Sequence, residues 1–344
     1  PSISNDKFLI NNEKDIIESD KLIIATGCKS RSIGETVFSD LIWSSKEAMI
    51  PKFLPKKLSI IGSGAIGIEF ASIYNALGSQ VTVYVSQDRI LPQFDLDISI
   101  EAKKIFEKKG INFELNANIS NIKEDKNIVQ FENIKNKITS DALIISIGVI
   151  PNLDKEIINN TGIKLDKEGY IKTNNNYETN IKNLFAIGDI IGGPWLAHKA
   201  MHDALNCVNY ISSNKSSHKP QENHIPGCIY SLPQIATVGY TEKQLIDNNI
   251  PYKKGNFPFL ANGKSQTMSN THGFVKTLFN SETGEFLGAH LIGPDVTEMI
   301  STFGLAITSE STEDEFINTI FAHPTLSESI HESVLSAFDK PIHF

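Results

Sequence analysis

Residues 57–86, "KLSIIGSGAIGIEFASIYNALGSQVTVYVS", constrain the fold more tightly than any other stretch. An apolar run, Leu58–Ile61, leads into the glycine pattern Gly62-x-Gly64-x-x-Gly67, and a helical pattern follows at once. Ile66, Phe70, Ile73 and Leu77 recur at helical spacing as its apolar face. Gly78 stands where a C-terminal glycine cap belongs, and Val81–Val85 supplies a second apolar strand. Strand, helix and strand of this length make a βαβ unit, which requires a parallel sheet covered by helices. Residues 57–86 therefore predict an α/β, Rossmann-like unit, and the strands and helices read over 223–344 below predict an α+β C-terminal domain.

Each glycine has its own task. Gly62 makes the tight turn, Gly64 lets the backbone approach a pyrophosphate, and Gly67 lets helix and strand pack closely. Between them Ser63, Ala65 and Ile66 present backbone N–H groups at a helix start, where an anion is favoured. A tight turn without a ligand is the competing reading, and the strand–helix–strand context favours the dinucleotide. A carboxylate is expected about 20 residues on, to accept from the ribose 2′-hydroxyl. Val85, Ser86 and Gln87 stand there instead, and no arginine follows directly to grip a 2′-phosphate. The balance favours NAD over NADP.

Composition excludes other classes. The 344 residues carry 40 acidic and 32 basic side chains, a net charge of −8 that opposes binding to nucleic acid. No apolar run approaches the roughly 18–20 residues that span a bilayer, so no membrane is expected. "PSISNDKF" has neither the basic nor the apolar region of a secretory signal, and a cytoplasmic location is the expectation. Cys28, Cys207 and Cys228 are too far apart for a CxxC pair, and no ligand spacing for a metal occurs. The start reads as the middle of a β-meander, "FLI" then "NNEKD" then "II", so the chain is expected to be a piece of a longer polypeptide.

Along the chain, 19–27 is a short buried strand ending at Thr26 and Gly27. A helix over about 98–109 ends at Gly110, and strands follow at 111–115 and 141–148. The Lys/Asn/Asp-rich 121–140 reads as a solvated hairpin, and 151–183 as mostly turns. "NLFAIGDIIGGPWLAHKAMHDALNCVNYI" is strand, loop and helix, and three antiparallel strands with a "SETG" turn precede helices from about 295. The domains expected are 1–50, 51–150, 151–222 and 223–344.

Two carboxylates invite chemistry. Asp189 ends a strand before a loop and a helix, where it either hydrogen-bonds a ligand hydroxyl or caps the turn. In "HPTLSE", Thr325-x-x-Glu328 fits a capping box, which makes Glu328 structural and leaves His323 merely ahead of a helix. Alternatively Glu328 holds one imidazole nitrogen while the other moves a proton. The residues alone leave both open.

"GSGAIGIEFASIYNALGSQVTVYVSQDRILPQFD", "AIGDIIGGPWLAHKA", "IPGCIYSLPQIATVGYTE" and "AHPTLSESIHESV" together resemble the dihydrolipoamide dehydrogenase family of class I pyridine nucleotide-disulfide oxidoreductases. The resemblance runs the length of the chain. It implies a remnant of a FAD domain with its linker (1–50), a NAD domain (51–150), a central domain completing the FAD side (151–222) and an interface domain (223–344) through which a homodimer forms. Gly62, Gly64, Gly67 and Glu69 match the NAD fingerprint, and Gly148 the glycine ending that domain's last strand. Thr26 and Gly27 match a segment beside FAD. Asp189 matches the aspartate on the ribityl chain, with Trp195, Leu196, Ala197 and His198 beside the flavin ring. His323 matches the catalytic base and Glu328 its orienting carboxylate.

The activity implied is reoxidation of dihydrolipoamide on lipoyl domains of 2-oxo acid dehydrogenase complexes, through a redox disulfide, FAD and NAD⁺. The histidine then serves the partner subunit's disulfide. Val85 departs from the glutamate of NAD-specific members, and Val149 and Ile150 from basic residues after "SIG". The family's FAD pyrophosphate loop and CxxxxC pair are not in these residues, so inactivity of this chain alone is expected. A nucleotide-binding, dimerising piece without chemistry is the alternative. Among related flavoenzymes, glutathione reductases want arginines near Ser86, transhydrogenases lack the histidine, and mercuric reductases end in a cysteine pair absent from "KPIHF".

Overall fold

The computed structural model describes residues 2–4, 7–12, 15–134, 136–213, 215 and 219–343. The chain divides into two compact units, 1–31 with 148–222, and 32–147 with 223–344.

The larger unit is built on the glycine motif. Strands Lys57–Ile61 and Gln80–Tyr84 pair in parallel, joined by helix Ala65–Ala76. Ala142–Ile145 and Ile42–Trp43 extend the sheet on one side and Asn112–Glu114 on the other, every pairing parallel. Helix Leu96–Lys108 covers it, started by Asp95, whose side chain accepts from the Asp97 N–H.

The helix Ala65–Ala76 does not bury the face its spacing predicts. Gly67, Ile68, Phe70, Ala71 and Tyr74 are buried, whereas Ile66, Ile73 and Leu77 are exposed. "AIGIEFASIYNAL" is apolar on nearly every side, so periodicity cannot fix the phase. The close approach at Gly67 does.

Residues 119–140 form a three-stranded antiparallel sheet, Ile119–Asp125, Ile128–Asn133 and Asn136–Ser140, rather than a solvated hairpin. Val129 and Phe131 give it a buried face, against which Tyr84 packs edge-on. Residue 135 lies outside the described residues.

The C-terminal part of this unit is a five-stranded antiparallel sheet ordered Gly227–Ile229, Gln234–Gly239, Phe286–Gly293, Phe274–Asn280, Tyr252–Pro258. Helices Val296–Thr308 and Glu328–Ala337 pack on it around Phe279, Phe286, Phe303 and Phe316. The expected "SETG" turn joins strands Phe274–Asn280 and Phe286–Gly293, with Asn280 Oδ1 accepting from the N–H groups of Glu282 and Thr283.

In the smaller unit, strands at 2–4, 7–12 and 15–19 form the antiparallel meander read from the sequence, although turn residues 13 and 14 lie outside the described residues. Leu22–Ile24 pairs in parallel with Leu184–Ala186, and Cys28–Ser30 pairs antiparallel with Val149–Pro151. Residues 151–183 are not all turns. A helix, Lys155–Thr161, begins after Asp154 and stops at Gly162, whose φ is +70°. Helix Ala197–Ser213 follows the loop after Asp189. Among the described residues no helix is long and apolar enough to cross a membrane, and no cluster of three or more potential ligands could hold a metal.

Candidate functional site

The dinucleotide loop is shaped by what will not fit. A Cβ on Gly62 would stand 2.3 Å from the Ser146 carbonyl oxygen, and one on Gly67 would stand 2.0 Å from the Gly62 carbonyl oxygen. Both positions need glycine for packing alone. Gly64 is different: nothing lies within 4 Å of its missing Cβ, and it is exposed. Packing therefore explains Gly62 and Gly67, whereas Gly64 is free of steric demand and leaves the helix start open to the close approach of a ligand. Gly64 is also the residue that opens the helix, and no side chain caps that end. The first N–H groups of the helix, on Ala65, Ile66 and Gly67, are thus left to an outside acceptor. The residues present fit a pyrophosphate. Ser63, itself buried, fixes the loop by accepting from the Leu91 N–H through its carbonyl. Ser146, which the sequence reading did not single out, donates to the Ile61 carbonyl at 3.0 Å and holds the turn closed.

Two residues carried over from the sequence have other partners here. Glu69 Oε1 accepts from the Tyr230 N–H at 2.8 Å, and burial raises its pKa above the usual carboxylate range. It ties the helix to the start of the antiparallel sheet. Val85 is 2% exposed and packs in the core of the parallel sheet with Val83 and Ile90. Its side chain is committed to that core, and the exposed Ser86 and Gln87 are the next groups along the chain.

In the smaller unit the FAD candidates lie on adjoining segments. Thr26 and Gly27 follow strand Leu22–Ile24, and both carbonyls are held by Asn152, through its side-chain amide (3.1 Å) and its backbone N–H (2.9 Å). Gly148, expected to end the NAD domain's last strand, falls in this smaller unit rather than with the 62–69 loop; it adopts φ +109° and accepts from the Arg31 N–H. Asp189 stands in a one-turn helix after strand Leu184–Ala186, and burial raises its carboxyl pKa, with Lys199 opposing. A half-buried carboxylate of this kind gains from a hydroxyl donor, which fits a ribityl chain. Trp195 packs on Tyr170 with centroids 6.1 Å apart, and Leu196, Ala197 and His198 lead into helix Ala197–Ser213.

His323 and Glu328 are brought together. His323 Nδ1 lies 2.9 Å from Glu328 Oε1, and the imidazole is largely exposed. The same carboxylate accepts from the Thr325 N–H through Oε2 at 2.8 Å. The two readings of "HPTLSE" are therefore not exclusive, because one oxygen serves each. The Thr325 hydroxyl donates to the Ala322 carbonyl instead of accepting from the helix, so the capping box is half made. Burial would raise the Glu328 pKa, but the Thr325 N–H and His323 outweigh it and hold it below the usual range. An ionised carboxylate on Nδ1 fixes the tautomer and leaves Nε2 to move a proton. A groove of about 570 Å³ runs beside this segment, lined by Met268, Met299, Thr325 and Leu326 among others.

A second such pair escaped the sequence reading. His343 Nδ1 lies 2.7 Å from Glu332 Oε1. Its only trace in the sequence is the four-residue spacing of Glu328 and Glu332. Among the described residues no hydrogen bond joins the 62–69 loop to the His323–Glu328 pair.

Residues 3–204 match the family profile described as pyridine nucleotide-disulphide oxidoreductase, and residues 225–334 match its dimerisation domain. The chain is similar to a dihydrolipoyl dehydrogenase of Zymomonas mobilis, 42% identical over 339 residues, covering 96% of this chain and 72% of the relative. It is also similar to a dihydrolipoyl dehydrogenase of Rhizobium etli, 38% identical over 325 residues, covering 93% of this chain and 67% of the relative. Among solved structures it resembles the HOCl-induced flavoprotein disulfide reductase RclA from Escherichia coli. That match has a TM-score of 0.86 and 26% identity, and it covers 93% of this chain and 74% of that one.

Proposed function

This chain belongs to the pyridine nucleotide-disulphide oxidoreductase family, and from that premise we propose that it is the nucleotide-binding, dimerising and proton-transferring part of a dihydrolipoamide dehydrogenase. The family's cofactors are FAD and NAD. When bound, they carry the electrons between dithiol and nicotinamide. The observation that carries the reading is the His323–Glu328 pair, a fixed imidazole with its outer nitrogen open to solvent.

Each group on this chain has a stated part. The open helix N-terminus at Gly64 and the N–H groups of Ser63, Ala65, Ile66 and Gly67 hold the NAD pyrophosphate. Thr26, Gly27, Asp189 and residues 195–198 line the FAD side. His323 Nε2 takes the proton of a substrate thiol, and the imidazolium, held by Glu328, stabilises the resulting thiolate. The domain assignment that accompanies this reading is 51–150 for NAD, 1–50 with 151–222 for the FAD side, and 223–344 for the interface. Lipoyl domains are the proposed dithiol carriers.

The dithiol–disulfide exchange needs a reactive cysteine pair. Burial pushes the Cys28 thiol up to about 11, helped by Asp189, and the Cys207 thiol up to about 11, helped by Asp203. Thiols so shifted are poor nucleophiles. Residues 1–344 taken alone are therefore proposed to bind nucleotide without turning over dithiol. The whole enzyme containing them, loaded with FAD, is expected to reduce NAD⁺ with dihydrolipoamide. His323→Gln should lower that turnover roughly 10²–10⁴-fold. Unchanged turnover in His323→Gln would remove the assignment of the base, and turnover by residues 1–344 alone would remove the assignment of the exchange.

A further inference from the structure

Helix Ala197–Ser213 carries two charged side chains that are almost fully buried, Lys199 and Asp203, 8% and 1% exposed. They stand four residues apart on one face, and Lys199 Nζ lies 2.8 Å from Asp203 Oδ2. The same pair meets the one-turn helix Gly188–Ile191, which bears Asp189. Asp203 Oδ2 accepts from the Gly188 N–H at 3.1 Å. Lys199 Nζ reaches the Gly188 carbonyl at 3.5 Å and the Gly192 carbonyl at 3.4 Å. Those two contacts are long for single hydrogen bonds, because one ammonium is shared among three acceptors.

The backbone of the turn supplies only part of what holds it. The Asp189 carbonyl accepts from the Gly192 N–H at 3.1 Å and from the Cys28 thiol at 3.4 Å. The Ile190 carbonyl accepts from the Ile171 N–H at 3.0 Å. The Gly188 N–H and the carbonyls of Gly188 and Gly192 are answered by the ion pair instead. Both ends of the turn around Asp189 are thus fastened to one point on the helix. A Cβ on Gly188 would stand 3.3 Å from the Ala200 Cβ, so helix and turn are already in close approach there.

Stability alone does not account for the pair. A buried ion pair carries a desolvation cost that packed apolar side chains of similar size avoid. Asp203 adds to that cost, since its Oδ1 is buried and has no hydrogen-bond partner among the described residues. What the pair supplies, and apolar packing would not, is a donor and an acceptor aimed at the two ends of the Asp189 turn.

We propose that Lys199 and Asp203 are positioning residues for Asp189: the pair fixes the turn from which the Asp189 carboxylate meets a ribityl hydroxyl of FAD. Both act through the backbone on either side of Asp189. A turn ordered before FAD arrives spares binding the entropy of ordering it. The pair therefore acts on FAD affinity, ahead of any chemistry. This rests on the reading of Asp189 as a residue that holds FAD.

The test is FAD titration of the flavin-free whole enzyme containing these residues, followed by flavin fluorescence, with urea denaturation to check that each variant folds. Lys199→Met together with Asp203→Leu replaces the pair by apolar side chains and leaves no unpaired charge. It should weaken FAD binding roughly tenfold. In an Asp189→Asn background the same replacement should weaken binding less than about twofold, because the group it positions is gone. A merely structural pair would weaken FAD binding equally in both backgrounds. Equal weakening, or none with Asp189 present, would overturn the proposal. Should the paired replacement fail to fold, Asp203→Asn carries the same comparison. It keeps an acceptor for the Gly188 N–H but holds Lys199 less firmly, so a loss of about threefold is expected, again only with Asp189 present. Asp189→Asn alone checks the reading beneath: FAD affinity equal to the parent's would remove that reading, and the proposal with it.

Discussion

Gly64 and Gly67 differ in what a methyl group would meet, and that difference separates folding from ligand approach. At Gly67 the methyl would stand 2.0 Å from a backbone oxygen, so helix and strand must move apart. Gly67→Ala should cost about 1–3 kcal/mol of stability as well as nucleotide affinity. At Gly64 the methyl enters open space. Gly64→Ala, at a helix N-cap, should lower the urea midpoint by less than Gly67→Ala yet weaken NADH binding at least several-fold, measured by nucleotide fluorescence. Equal loss of binding and stability in both variants would contradict the distinction. At the same scale, Glu328→Gln keeps an acceptor for the Thr325 N–H but removes the charge beside His323. Turnover of the whole enzyme should fall, though by less than in His323→Gln, because the imidazole remains but loses the carboxylate that orients it. Glu328 itself has a lowered pKa. Its contribution to stability is therefore present above the unfolded-state carboxylate value and is lost as pH falls through the lower folded value.

The elements are held together by groups that no local pattern reveals. Lys276, on strand Phe274–Asn280, is fully buried and pairs with Asp95, Asp97 and Glu242, each at 2.7 Å. Asp95 also starts helix Leu96–Lys108 and accepts from the Glu242 N–H, so one lysine joins a helix of the parallel sheet to the antiparallel sheet. These partners are separated by up to 181 positions in the chain, which is why the sequence reading passed over them. The helix Lys155–Thr161 was missed for a different reason. Its signals, Asp154 before it and Gly162 after it, are present, but the helix is too short for periodicity to register.

Burial would raise the Asp95 pKa. His290 and Lys276 outweigh it, and because burial keeps His290 short of its proton, Lys276 is the lasting partner. Burial would lower the Lys276 pKa, but three carboxylates raise it. The lysine's share of stability is thus full below its unfolded value near ~10.4 and is lost only as pH rises through the higher folded value. The Asp95 share is lost as pH falls through its lowered folded value. Lys276→Met, which leaves buried carboxylates unpaired, should cost about 3–5 kcal/mol in urea denaturation at neutral pH. It should also flatten the loss of stability below about pH 4, since those carboxylates then gain from taking up protons. A variant as stable as the parent would show that the cluster contributes nothing net.

For the whole molecule, the α/β class and the nucleotide loop were legible because glycine spacing is dictated by local sterics. The proposed role of the His323–Glu328 pair was legible only by resemblance, since Thr325-x-x-Glu328 carries capping and imidazole orientation in one spacing. The phase of helix Ala65–Ala76 was not legible, because Ile68, Ala71 and Tyr74 compete with Ile66, Ile73 and Leu77 for the same core. Long-range assembly leaves a trace of another kind, in apolar side chains that the fold does not cover. In the region matching the dimerisation domain, Leu260, Leu305 and Ile320 are exposed, Ile320 at 96%. Ile320 lies three residues before His323, so a homodimer closing over it would bring the imidazole to the interface, as the cross-subunit action implied by the family resemblance requires. Ile320→Glu should convert the dimer to monomer in sedimentation. In the whole enzyme, dihydrolipoamide oxidation should fall in proportion to the dimer lost. NADH affinity, set by the loop at Gly62–Gly67, should stay unchanged. An Ile320→Glu enzyme that remains dimeric and fully active would place the interface elsewhere on residues 223–344.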